Sequence, residues 1–313
     1  EERLVEAFFV VSHTARWTSE MAEYVSGHTC ASVADVVFQG AVVQCFPRRS
    51  AALLPARIAL LCCPDGFRLA LAPRAPVVVP FVVPTPGGTR AHGHCLVVHE
   101  RVAQHDAARI CAAYNAAVDD PAHHLSPATQ PLYFPACYGL LTGPVPAHAF
   151  AREWLFRFHA ALTASSTSTV TAAALIAHLV RSVPRPRFPG QRISFLLPSP
   201  LVQPQVQPEA RPLPPVFIPH SQEGDYPLAQ LLRALRPRVL MALVKALLLE
   251  QRVVLVAHSP ARLALTLEAL AGLLYPFRWA QLYVPVLPRA ALACAGARRA
   301  CALGLTHTAA PLA

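Results

Sequence analysis

The sequence predicts an α/β protein, α+β overall, with an antiparallel N-terminal lobe and a C-terminal lobe built on a mostly parallel sheet. Three observations lead there. Short β-rich runs broken by Pro and Gly fill the first hundred residues, the pattern of an antiparallel sheet with tight connections. Between 253 and 286, an apolar run, a helix-length amphipathic stretch and a second apolar run follow one another, as in a βαβ crossover. A chain of 313 residues that is 54% apolar can also bury a core in each of two lobes.

In chain order, Phe8-Phe9-Val10-Val11, 42–46, 58–63 and 67–71 read as strands. Pro64-Asp65-Gly66 supplies a turn that makes a hairpin of the last two. Residues 77–83 and 91–100 form a second hairpin around Pro84-Thr85-Pro86-Gly87-Gly88, and the Ala-rich stretch 101–118 reads as helix. The polar stretch 119–126 ends the first domain near residue 125, giving domains 1–125 and 126–313.

In the second domain, 132–141 reads as a strand and 146–164 as a helix, and the Ser/Thr stretch 165–171 caps a further helix at 172–182. A strand at 193–197 separates two proline-dense segments. The second of these, 198–219, is expected to be an exposed loop with polyproline II character, a spacer rather than an SH3 ligand. Residues 228–235 form one helix. Pro237 then occupies a first helical position, and Leu240, Leu243, Val244, Leu247 and Leu248 form a stripe at helical spacing. Residues 253–257 and 281–286 are apolar strands, joined by a helix at 260–274 whose Leu263, Leu267, Leu270 and Leu274 share one side. Strands apolar on both faces imply a sheet covered on both sides.

Charge says little about partners. The net charge is +10, but the arginines are scattered and Lys245 is the single lysine, so the excess looks compositional and no nucleic-acid partner is expected. No span is long and apolar enough for a transmembrane helix; 239–249 and 263–277 come nearest, and they carry Lys245 and Glu268. Glu1-Glu2-Arg3 does not resemble a signal peptide, and the chain reads as a piece of something longer. Nine cysteines without a CxxC pair, mostly in apolar runs, read as reduced core residues of a cytoplasmic protein.

The chemical motifs are weak. His92-Gly93-His94-Cys95 with His99 is the one metal-like cluster, but alternation along a strand sends Cys95 to the face opposite His92 and His94, so no metal is expected. Ser259, where a strand runs into a helix, sits where hydrolases place a nucleophile. Its neighbours are His258 and Pro260 rather than the small residues such an elbow needs, and no acid stands out as a third member. The crossover lacks G-x-G-x-x-G and the chain has no Walker motif, so neither a dinucleotide nor any other cofactor is expected. Without a catalytic constellation, a recognition surface is favoured over bond chemistry.

Several segments resemble the DENN domain family in order and spacing. Leu247-Leu248-Leu249-Glu250-Gln251-Arg252-Val253-Val254-Leu255-Val256 is similar to its central helix-into-strand segment. Residues 269–274 with Tyr275-Pro276-Phe277-Arg278-Trp279, and then Tyr283-Val284-Pro285-Val286-Leu287-Pro288, resemble the run that follows. Phe8-Phe9-Val10-Val11, Cys45-Phe46-Pro47, Cys62-Cys63-Pro64-Asp65-Gly66 and Gly93-His94-Cys95-Leu96 resemble the N-terminal module. Residues 132–141, Val183-Pro184 and Pro189-Gly190 resemble the start of the central one. Two departures stand out: Ala295-Gly296-Ala297-Arg298-Arg299-Ala300-Cys301 replaces a proline-containing stretch before the Leu303-Gly304-Leu305 turn, and the family's downstream helix-rich module is absent or truncated.

The resemblance implies a bilobal protein, with a longin-like lobe over 1–125 and a central α/β lobe over 126–313. It implies guanine-nucleotide exchange on a Rab-type small GTPase in membrane traffic, with no covalent step, in the cytoplasm or peripherally on vesicle or endosomal membranes. The expected partner-binding residues are Glu250 and Arg252 at the helix–strand junction, and His258 and Ser259 at the carboxyl end of the strand, the edge where open α/β sheets present binding surfaces. The alternatives are a DENN-like scaffold or GTPase-activating partner, and a serine hydrolase using Ser259.

Overall fold

The computed structural model describes residues 2–13, 19–28, 32–85, 90–118, 120–127, 130–163, 169–188, 191–193, 216–217, 228–296 and 300–306. In chain order the elements are β1 (Ala7–His13), α1 (Ser19–Ser26), β2 (Val37–Phe38), β3 (Gly40–Phe46), α2 (Ile58–Cys62), β4 (Phe67–Arg68), β5 (Val77–Pro84), β6 (Arg90–Arg101) and α3 (Gln104–Ala117). They continue with β7 (Tyr133–Leu141), α4 (His148–Thr163), α5 (Thr169–Ser182), β8 (Arg192–Ile193), β9 (Val216–Phe217), α6 (Leu228–Ala234), α7 (Pro237–Leu248), β10 (Val253–Ala257), α8 (Pro260–Gly272), β11 (Leu282–Val284) and β12 (Cys301–Thr306).

The first sheet is antiparallel throughout, in the order β3-β1-β7-β6-β5. Its central strand comes from beyond residue 125, because β7 pairs with both β1 and β6. Alternation along each strand supplies two cores. Phe9, Cys95 and Leu141 point to the side where Met21, Ile58 and Ile110 bring α1, α2 and α3. Their neighbours Phe8, Leu96 and Leu140 point to the side where Phe150, Trp154 and Leu179 bring α4 and α5. Stacked Trp154 and Phe158, with ring centroids 5.0 Å apart, meet the edge of Phe8 and anchor this second core.

One expected strand is a helix. Residues 58–63 carry an unbroken apolar run whose period does not separate strand from helix. The buried set Ile58, Ala59 and Cys62 has helical spacing, and the segment forms α2. Pro64-Asp65-Gly66 does make a turn, with Gly66 at φ 85° and its N–H donating to the Cys63 carbonyl at 2.9 Å, but it joins α2 to β4 rather than closing a hairpin. Strand β4 pairs instead with β2. The β5–β6 hairpin forms as expected, pairing Val83 with Ala91. The Ser/Thr cap at 165–171 and most of the proline-rich segment 198–219 lie outside the described residues; within that segment, β9 pairs with β8.

The second sheet is parallel, in the order β10-β12-β11. β10 and β11 share it and α8 bridges them, with Leu263, Leu267, Leu270 and Leu274 all buried. The strand between them is β12, built on the Leu303-Gly304-Leu305 stretch that reads from sequence as a turn. Gly304 is needed there because a Cβ would stand 2.0 Å from the Pro285 carbonyl oxygen. The middle strand is buried along its whole length, but β10 is an edge. Val254 is 40% exposed and Val256 51%, so the expectation of cover on both faces fails at this strand. Leu248, expected in the helical stripe of α7, is also exposed, because α7 buries Leu247 and leaves the next residue outside. Among the described residues no helix is long and apolar enough to cross a membrane.

Candidate functional site

The two sheets meet through a buried polar junction. Arg90, His92 and His94 share one face of β6 by alternation, the face that also carries Leu96. His148, the first residue of α4, lies against them: its Nδ1 is 2.6 Å from His94 Nε2, with one ring nitrogen donating to the other. From the second sheet, Tyr283 of β11 donates its hydroxyl to Glu268 of α8 at 2.9 Å. Arg90 reaches across, donating to the Trp279 carbonyl at 2.6 Å and stacking 4.2 Å over the Tyr283 ring.

Burial sets the protonation of this group. It pushes His92 and His148 down to about 4 and His94 well below its ordinary value, aided at His94 by the neighbouring His148. Burial pushes Glu268 up, while His148, Tyr283 and Arg90 pull it down. Imidazoles buried neutral, with a carboxylate held by a tyrosine, form a fixed dipolar seam between the lobes. The His92, His94 and Cys95 cluster is therefore strand packing, and Cys95 belongs to the opposite core. Among the described residues no group of three or more His, Cys, Asp or Glu side chains could hold a metal.

The four residues singled out from sequence sit at the two ends of β10. Glu250 and Arg252 precede its first residue and His258 and Ser259 follow its last, so about 17 Å of extended chain separates the pairs. Glu250 takes the left-handed conformation (φ 51°) that ends α7, a position glycine usually fills, and its carboxylate accepts from Gln281 at 3.3 Å. Arg252 is close enough to Cys301 to oppose the upward push that burial gives its thiol. The Ser259 hydroxyl accepts from the Arg262 N–H at 3.4 Å and caps α8, a structural use of the oxygen a hydrolase would need as nucleophile.

Between these pairs lie the exposed Val254 and Val256, with exposed Leu248 and Leu249 just upstream. The sheet is parallel, so its carboxyl edge carries both the His258-Ser259 loop and the chain leaving β11, where the Leu287 N–H donates to the Gly304 carbonyl at 2.7 Å. The next turn brings Arg289 against the first lobe, its N–H donating to the Pro64 carbonyl at 2.8 Å. A groove of about 880 Å³ opens there, with Leu60, Phe67 and Leu292 on its apolar lining and Arg57, Arg68 and Arg289 around it. Sequence reasoning missed this groove because its two halves lie more than two hundred residues apart. The polar seam left a fainter trace, in Arg90, His92 and His94 at every second position of an apolar strand and Glu268 within an apolar helix face.

Comparisons with known proteins agree with this architecture. The family model described as DENN (AEX-3) domain matches residues 133–306, from β7 to β12. A DENN domain-containing protein of Schizosaccharomyces pombe is 28% identical over 177 residues, 52% of this chain and 17% of that protein. The DENN domain and WD repeat-containing protein SCD1 of Arabidopsis thaliana is 31% identical over 113 residues, 36% of this chain and 9% of its own length. DENN domain-containing protein 2D of Homo sapiens is 32% identical over 74 residues, 24% of this chain and 15% of that protein. The chain thus spans less than a fifth of the length of each of these relatives.

Proposed function

Because the chain belongs to the DENN (AEX-3) domain family, we propose that it is a guanine-nucleotide exchange factor for a Rab-type small GTPase, promoting GDP release in membrane traffic. The observation that carries this reading is the family match over 133–306, which takes in the whole second sheet and the helices around it. The chemistry is consistent with it. Exchange requires no nucleophile; it requires a surface that binds the GTPase better without nucleotide than with it.

The domain division 1–125 and 126–313 belongs to the same proposal, with a longin-like first lobe completed by β7. The GTPase would rest on the β10 side of the second lobe, meeting Glu250 and Arg252 at one end of the strand and His258 and Ser259 at the other. Exposed Val254 and Val256 lie between them and supply an apolar centre. The protein would act in the cytoplasm, at the surface of vesicle or endosomal membranes.

The test is a pair of assays on a panel of Rab proteins. Accelerated release of fluorescent GDP from at least one member, without accelerated phosphate release from GTP, supports exchange. Faster GTP hydrolysis with unchanged GDP release would assign a GTPase-activating role instead. Silence in both assays across the panel, from a folded protein, would leave the scaffold reading.

A further inference from the structure

We propose that the groove between α2, the β2–β4 pair and the turn after β11 is a binding site for an acidic peptide segment that carries apolar side chains. The assignment does not depend on exchange activity, since it rests on the groove alone. Its volume of about 880 Å³ is of the size that holds a ligand. Arg57, Arg68 and Arg289 line it against one acid, Asp65.

The three guanidinium groups are not equivalent. Arg68 is held in place: its Nε donates to the Asp65 carbonyl at 3.2 Å and its Nη1 to the Asp35 carbonyl at 3.0 Å, bonds that fix the head without neutralising it. The side chains of Arg57 and Arg289 make no hydrogen bond or ion pair among the described residues. Two unpaired forks and one held cation suit carboxylates, which guanidinium groups bind in a planar, two-pronged geometry. Leu60, Phe67 and Leu292 add an apolar lining that a bare inorganic anion cannot use but a leucine or aromatic side chain can.

The groove is also built to keep its shape. The Arg289 N–H to Pro64 carbonyl bond, 2.8 Å, ties the second-lobe wall to the first-lobe turn. On the other side, Tyr24 donates its hydroxyl to the Val37 carbonyl at 2.6 Å. Because the groove is partly open to solvent and is lined from both lobes, a peptide segment can enter it from outside.

The experiment uses fluorescein-labelled peptides in which Glu or Asp alternates with Leu, and follows anisotropy with the whole chain at low and at physiological salt. Binding should weaken as salt rises, and by about tenfold or more in R57E/R289E, as expected when interfacial charges are reversed. Arg233→Glu, at an exposed position of α6, should leave it unchanged, and the milder R57Q/R289Q should show a smaller loss if the reversal variant fails to fold. A matched peptide with Gln for Glu and Asn for Asp should lose most of its affinity. Equal binding by R57E/R289E and the unmodified chain would overturn the site, as would no binding of the acidic peptide at low salt. Inorganic tripolyphosphate displacing the peptide, with Leu60→Ser leaving peptide affinity untouched, would overturn the peptide assignment by showing a simple anion site.

Discussion

The two sheets of this protein solve the same problem differently. The antiparallel first sheet, a kind that tolerates a wet face, has helices on both sides, α1, α2 and α3 on one and α4 and α5 on the other, and exposes apolar residues at its edge strands, Val42 and Val43 of β3 and Val77 of β5. The parallel second sheet, of a kind normally covered on both sides, leaves Val254 and Val256 of its edge strand exposed. Exposed Val254 and Val256, with exposed Leu248 and Leu249 close by in the chain, give the β10 edge the apolar character that the proposed GTPase contact requires. The difference teaches where cover is lost: helices close both faces of the first sheet, whereas β10 leaves one apolar face open, the face we propose meets the GTPase.

Breaking the scaffold should have the largest effect. Trp154→Ala empties a buried stack against Phe8 and Phe158 and should cost about 3–5 kcal/mol in denaturant unfolding. Trp154→Phe should cost far less, because the indole N–H is buried without an acceptor among the described residues. In the second lobe Leu270→Ala should cost about 2–5 kcal/mol, since Leu270 is fully buried in the core behind the sheet. A Leu270→Ala variant of unchanged stability would contradict the packing of α8.

The seam between the lobes predicts a pH dependence. His92 and His148 are held at about 4 by burial, against an ordinary value of 6.5, so the native state binds fewer protons than the unfolded chain in that window. Their contribution is complete above 6.5 and is lost as pH falls towards 4, on the order of 3 kcal/mol for each. Glu268 has the opposite sign: its raised value favours the fold at low pH and loses that benefit as pH rises through it. With His94 also lowered, three histidines outweigh one acid, so the thermal midpoint should drop on acidification. His148→Asn should flatten that drop, and an unchanged slope would remove His148 from the seam.

The smallest effect on stability is expected at the exposed edge strand β10. Val256→Ser should alter unfolding by no more than about 0.5 kcal/mol, because the side chain is already half in water. The same substitution should nevertheless weaken GTPase binding, and a variant that exchanges nucleotide normally would remove this strand from the contact surface. The contrast with Leu270, on the adjoining helix, would separate residues that hold the lobe together from residues proposed to face the GTPase.

The sequence made much of this legible, because periodicity is local. The alternation of Phe8 and Phe9, the leucine spacing of α8 and the Pro237 start of α7 all predicted elements that are present. What was hidden required distant chain. β12 carries a glycine in its interior, and Leu303-Gly304-Leu305 becomes the middle strand only because β10 and β11 flank it. α2 could not be told from a strand until its buried spacing was seen, and the exposure of Val254 follows from an edge position that no local pattern encodes. Of the candidate site, the four residues around β10 are the sequence's own proposal, and the structure places them at the two ends of that strand. The arginine groove and the Glu268 side of the seam were not legible there, since their parts come together only on folding.

The central claim is that the second lobe presents a surface to a GTPase that has lost its nucleotide. Linkage makes it directly measurable: if the protein weakens nucleotide binding by some factor, nucleotide must weaken the protein's own binding by the same factor. Turning a nearly fully loaded GTPase into a nearly fully open one needs a differential of about 10⁴, or roughly 5.5 kcal/mol. The measurement is the affinity of this chain for each member of a panel of Rab proteins, in stripped, GDP-bound and GTP-bound states. Tightest binding to the stripped form, reversed by adding either nucleotide, is the expected result. Preference for the GTP-bound form would contradict the exchange-factor assignment and make the protein an effector.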